Sequence, residues 1–181
     1  GHGSAQGKLG LMYYRGEGVA RDYAKALELL EQFAAEGNVE AQKALGDIYY
    51  EGKGVIQNYD LAVEYYQMAS KLGYAEAHYS LALCYYYGNG VKKNVNEAMK
   101  LFIKAAEQGS SDAQNQLAMI YLKDDNENND AVAIELLTQA AQKGHVEAQY
   151  HLGIFSKDEK EREKWWTLSA EAGHVKAMSS L

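Results

Sequence analysis

The chain has 181 residues, 47% of them hydrophobic and 24% charged, the composition of an ordinary folded protein rather than a disordered or fibrous one. A formal net charge of −7 argues against nucleic acid, which needs a basic face, and a lone cysteine, Cys84, excludes a disulfide-stapled framework. No apolar run approaches the roughly 18–20 residues of a membrane span, and no proline interrupts a helix from within.

The chain repeats itself. Ala5-Gln6, Ala41-Gln42, Ala77-His78, Ala113-Gln114 and Ala148-Gln149 open five successive repeats, and Ala177-Met178 opens a sixth, at spacings of 36, 36, 36, 35 and 29. The repeats run 5–40, 41–76, 77–112, 113–147 and 148–176, with a further helix pair starting at 177–181. Self-similarity at this period predicts a solenoid of stacked units in place of one globular core. The opening Gly1-His2-Gly3-Ser4-Ala5-Gln6 matches the internal junctions at Gly144-His145 and Gly173-His174. We therefore expect the chain to be an excerpt of a longer solenoid.

Within each repeat the apolar positions fall at helical spacing, twice. In the second repeat Ala41, Leu45, Ile48 and Tyr49 mark one helix, which Gly52 ends. After the loop glycine Gly54, Asn58 caps a second helix that carries Ala62, Tyr65, Tyr66 and Ala69 and stops at Gly73. The capping signals give an antiparallel pair of about 12 and 14 residues. The second-helix cap column reads Asp22, Asn58, Asn94, Asn129, Asp158, all short side chains able to accept a bond from a free amide. The closing column reads Gly37, Gly73, Gly109, Gly144, Gly173. Small residues (Ala26, Ala62, Ala98, Ala133; Gly10, Gly46) alternate with large ones, namely Leu9, Leu45, Leu81, Leu117, Leu152 and the expected core column Tyr13, Tyr49, Tyr85, Tyr121.

The pattern A-x-x-x-L-G-x-x-Y-x-x-G-x-G-V, then D/N-x-x-x-A, then A-A-x-x-G, resembles the Sel-one-like repeat (SLR), a relative of the tetratricopeptide repeat. The first three repeats match it nearly throughout. The fourth loses the loop glycines and one residue, and the fifth drops the Gly-x-Gly loop and carries Arg162 in place of the second-helix alanine. The resemblance implies an all-α, right-handed α/α superhelical solenoid of about five antiparallel helix pairs. It implies a non-enzymatic scaffold or adaptor that binds a protein or peptide on its concave face. It carries no catalytic residue and no cofactor. Members of the family also point to an alternative: a bacterial immunity protein that neutralises a toxin or effector enzyme, or a virulence factor that engages a host protein. The compartment stays open between cytoplasmic and periplasmic or secreted. Exposed terminal helices leave self-association through the ends as a further expectation.

In tetratricopeptide-like solenoids the first helix of each pair lines the groove. By that register the partner-binding positions are Tyr14 and Arg15; Lys43, Asp47, Tyr50 and Glu51; Tyr79, Leu83, Tyr86 and Tyr87; and Asn115, Met119 and Leu122. Tyr14, Tyr50 and Tyr86 form a strict column. Tyrosine gives a large, rigid contact with a polar tip. The competing reading is that this column covers the packing between neighbouring first helices. The column Glu40, Glu76, Asp112, Glu147 reads as first-turn carboxylates facing the positive helix end, in preference to an acidic rim.

Other chemistry is weakly marked. His2, His145 and His174 share one repeat column, and His145 and His151 are spaced wrongly for two ligands on one helical face, so no metal site is expected. Cys84 reads as a small buried hydrophobe. Trp165-Trp166 align with Leu29-Leu30 and Tyr65-Tyr66 and read as repeat packing. The stretch 124–130 with Glu135 places oxygen side chains at calcium-loop spacing, but the repeat register favours a solvated acidic loop.

Overall fold

The computed structural model describes residues 2–123 and 127–181, and among them it contains eleven helices and no strand. First and second helices alternate: α1 (His2–Arg15), α2 (Tyr23–Ala35), α3 (Val39–Glu51), α4 (Tyr59–Lys71), α5 (Ala75–Tyr87) and α6 (Val95–Glu107). The order continues with α7 (Ser111–Tyr121), α8 (Glu127–Gln142), α9 (Val146–Phe155), α10 (Glu159–Glu171) and the short α11 (Val175–Met178). The fold is an all-α solenoid of helix pairs. The chain divides into two compact units, Gly1–Leu101 and Phe102–Leu181.

The boundaries follow from local chemistry. Asp22, Asn58, Asn94 and Asp158 each accept a backbone N–H three residues on, at 2.9–3.1 Å, which satisfies one orphan donor of the second helix. Asn129 departs from this column. With no loop glycine to interrupt it, α8 starts at Glu127, and Asn129 lies inside its first turn. Gly52 ends α3 at φ +66°, a left-handed conformation that costs a residue with a Cβ about 1–2 kcal/mol. The loops also touch the preceding repeat. A Cβ on Gly90 would lie 2.4 Å from the carbonyl oxygen of Tyr59, so the third-repeat loop rests directly on the start of α4.

In the first unit α2 packs between α1 and α3, α3 packs on α4, and α4 on α5. Leu30, Leu45 and Ile48 are fully buried there. Each contributes about 2 kcal/mol by leaving water. In the second unit α7, α8, α9 and α10 pack in sequence around Leu137, Ala140 and Leu152. The alanine column Ala26, Ala62, Ala98, Ala133 is fully buried, as the alternation of sizes requires. Glycine on the first helix admits an aromatic ring from the second: Tyr66 sits on Gly46, and Trp166 on Gly153.

Two columns depart from the sequence reading. Tyr13, Tyr49, Tyr85 and Tyr121 are half-buried, and the interior is taken one position earlier, by Ile48 and Cys84. A phenol keeps its polar tip near water, whereas an aliphatic or thiol group has none to satisfy. Leu9 is 37% exposed although its counterpart Leu45 is buried. α3 packs against both α2 and α4, whereas α1 packs mainly on α2.

Candidate functional site

In the first unit α1, α3 and α5 carry most of the expected partner-binding positions, and Asp47 on α3 organises them. Its carboxylate, only 7% exposed, accepts three bonds. The Tyr66 hydroxyl donates from α4 at 2.8 Å, the Lys43 ammonium donates from one turn earlier at 2.7 Å, and the Tyr14 hydroxyl donates from α1. Burial and the neighbouring carboxylate push both phenols well above the usual tyrosine range. They therefore stay protonated and act as donors. Tyr14 thus bonds one first helix to the next. Arg15 makes a parallel link, donating to Glu40 at 2.8 Å.

Tyr50 lies further along the same face. Its ring meets Tyr59 edge-on at 5.0 Å, and its hydroxyl accepts from the Asn89 amide at 2.7 Å. Glu51 pairs with Lys53 at 2.6 Å. A depression of about 200 Å³ opens between α3, α4 and α5, lined by Asp47, Tyr50, Glu51, Tyr66, Ser80 and Leu83. Tyr79 and Tyr86 on α5 are half-buried, and Tyr87, edge-on to Tyr86 at 5.1 Å, is 58% exposed. The sequence reading did not include Tyr66 or Ser80 in this group.

The second unit holds Asn115, Met119 and Leu122. Asn115 accepts from His151 Nδ1 at 3.0 Å, Met119 is half-buried, and Leu122 packs against the core. First helices are linked here by histidine. Nδ1 of His145 and of His174 accepts the N–H that opens α9 and α11, and Nε2 donates to Asp112 at 3.1 Å and to Glu147 at 3.2 Å. The first-turn carboxylates thus have cross-repeat partners as well as a helix dipole. Arg162, which replaces the column alanine, donates to the Ser156 carbonyl at 3.0 Å, just beyond the end of α9.

One recurrent device escaped the sequence reading. Gln42, Gln114 and Gln149 are buried, and each donates its side-chain amide to the carbonyl eight residues earlier, at Ala34, Ala106 and Ala141. That carbonyl lies in the last turn of the preceding second helix, where the N–H of the closing glycine (Gly37, Gly109, Gly144) reaches it at 2.9–3.0 Å and the glutamine adds a second donor. The recurrence of Gln after Ala in four of the first five repeats, with His78 standing in the third, is the signal that marks it.

Cys84 is buried, its thiol pushed up to about 12 by desolvation, which leaves it inert as a nucleophile. Trp165 packs on the second core, and Trp166 donates its indole N–H to the Tyr150 carbonyl at 3.3 Å. Among the described residues no cluster of three His, Cys, Asp or Glu side chains could hold a metal, and no helix is long and apolar enough to cross a membrane. The acidic stretch 124–130 falls largely outside the described residues.

Comparison with known families matches the Sel1 repeat at residues 3–38, 39–74, 75–110, 111–145 and 146–174. None of the curated proteins matches the chain. Among solved structures it is similar to a Sel1 repeat protein from Oxalobacter formigenes, with 31% identity, a TM-score of 0.83, and coverage of 94% of this chain and 73% of that one. It is also similar to a protective antigen of uropathogenic Escherichia coli strains with an SLR fold, at 31% identity and a TM-score of 0.80. That match covers 99% of this chain, which spans only 40% of the antigen's length. An immunity protein from Pseudomonas aeruginosa shares the fold at 19% identity and a TM-score of 0.66, over 93% of this chain and 66% of that one. With five tandem repeats matched across nearly its whole length, the chain belongs to the Sel1 repeat family.

Proposed function

We propose that the chain is a non-enzymatic interaction module that holds a protein or peptide on the first-helix face of its first unit. Sel1 repeat proteins generally mediate protein–protein interaction, on a scaffold fold that is not itself catalytic. The observation that carries the reading is the depression beside Tyr50, with half-buried Tyr79 and Tyr86 and exposed Tyr87 on the neighbouring helix. Rigid aromatic side chains around a recess are the usual energetic centre of a protein interface. Tyr14, by contrast, has its hydroxyl bonded to Asp47 and serves the scaffold.

The test is affinity capture from a lysate of the source organism with the wild-type chain and a Tyr50→Ala/Tyr79→Ala/Tyr86→Ala variant. Circular dichroism checks that the variant is folded. A specific partner held by wild type and reduced about tenfold or more by the variant is the expected result. Equal retention by both would overturn the assignment of the face.

A second reading is inhibition of a toxin or effector enzyme. The fold shared with the immunity protein and the net charge of −7, suited to steering toward a basic target, support it. Capture of a basic enzyme whose activity the chain suppresses selects this reading. A captured structural or secretion component selects the adaptor.

A further inference from the structure

We infer that the depression on the first unit seats a guanidinium group, so that the partner presents an arginine side chain there. This rests on the reading of the first-helix face as the binding face. Of the six lining residues two are carboxylates, Asp47 and Glu51, and none is a base. The two stand four residues apart on α3, which brings them to the same side of the helix. Tyr50 and Tyr66 contribute aromatic rings, Ser80 a hydroxyl and Leu83 an aliphatic wall.

The hydrogen-bond inventory leaves room for such a guest. A carboxylate offers about four acceptor positions. Tyr14, Lys43 and Tyr66 occupy three of those on Asp47. The same three donors fix the carboxylate in place, so it needs no reorganisation to receive a fourth. Each carboxylate already has one lysine, Lys43 on Asp47 at 2.7 Å and Lys53 on Glu51 at 2.6 Å, but neither lysine lines the depression, and the Lys53–Glu51 pair is solvent-exposed, so a guanidinium replaces it at little cost. A guanidinium matches this setting better than an ammonium. It is planar, it bridges two acceptors, and it stacks on a tyrosine face, where a compact and strongly hydrated ammonium gains less.

The probe is N-acetyl-arginine amide, titrated into the isotopically labelled full chain, with the amide signals of Tyr50, Ser80 and Leu83 followed by nuclear magnetic resonance. N-acetyl-citrulline amide, nearly isosteric and uncharged, is the control. Saturable shifts with arginine, none with citrulline, and about threefold weaker binding in Glu51→Gln are expected. Glu51 is exposed, so this variant keeps the fold where an Asp47 variant could lose it. Equal shifts with citrulline, arginine shifts centred elsewhere, or an unchanged affinity in Glu51→Gln would overturn the inference. No partner protein is needed. A chain that captures its partner through Tyr50, Tyr79 and Tyr86 yet ignores arginine amide overturns the guanidinium seat alone. A chain that binds arginine amide as described, with capture indifferent to those tyrosines, keeps the seat and overturns the wider face.

Discussion

The two units share one repeat and tie its helices together with different chemistry. In the first, successive first helices are bonded by Tyr14 to Asp47 and by Arg15 to Glu40, and the Gly-x-Gly loops settle onto the preceding repeat. In the second, His145, His151 and His174 make the equivalent links, to Asp112, Asn115 and Glu147. The period therefore specifies the backbone and the alanine and glycine columns, while the cross-repeat bonds are free to change. The Tyr14–Asp47 link rests on a phenol whose pKa burial and the neighbouring carboxylate raise, so it stays protonated at neutral pH. Imidazole is a different matter, because its ordinary pKa lies near 6.5.

The largest difference should come from the loops. Gly90→Ala adds a Cβ against the Tyr59 carbonyl at a residue with φ +69°, whereas Gly144, at φ +85°, has nothing within 4 Å of an added Cβ. We expect a loss of about 3 kcal/mol for Gly90→Ala and about 1 kcal/mol for Gly144→Ala, read by thermal denaturation. Equal losses would show that the loop contact contributes nothing.

Next come the cross-repeat bonds. Asp47→Asn removes the charge and places an amide donor against three donors, for about 2 kcal/mol. Asn115→Ala deletes one half-buried acceptor, for about 1 kcal/mol. Urea titration of both variants measures the ranking, and a larger cost for Asn115→Ala would reverse it.

The pH response sharpens the contrast further. Burial lowers the pKa of His151, with Glu147 opposing and His174, His145 and Lys176 reinforcing that direction. The unfolded chain then binds this proton more readily than the folded one. The stability from neutral His151 is complete above about pH 6.5 and is lost as the pH falls below it. His151→Gln should flatten that part of the profile. An unchanged slope would place the effect elsewhere. The smallest expected effect is local: hydrogen exchange should be faster in α8 and α9, where the loops are shortened, than in α3 and α4. Equal protection would contradict it.

Much of this was legible in the sequence, because caps and left-handed glycines are local. Asp22, Asn58, Asn94 and Asp158 cap where the column predicted, and Gly16, Gly52 and Gly88 are left-handed. Asn129 was misplaced because a column assumes a constant loop, and the fourth repeat had lost its glycines. Of the partners of Asp47 only Lys43, one turn earlier on the same helix, is local enough to read. Tyr14 and Tyr66 stand 33 and 19 residues away, and pairing at that range is set by which helix faces meet. The glutamine column was visible but was used only as a register mark. Its role emerges once the last turn of the preceding helix is known to end beside it.

The most direct test of the binding face is hydrogen exchange by mass spectrometry on the chain alone and in complex with its captured partner. The account predicts added protection in α3 and α5 around Tyr50, Ser80 and Leu83, with α8 and α10 unchanged. Protection confined to α8 and α10 would contradict it and move the site to the second unit.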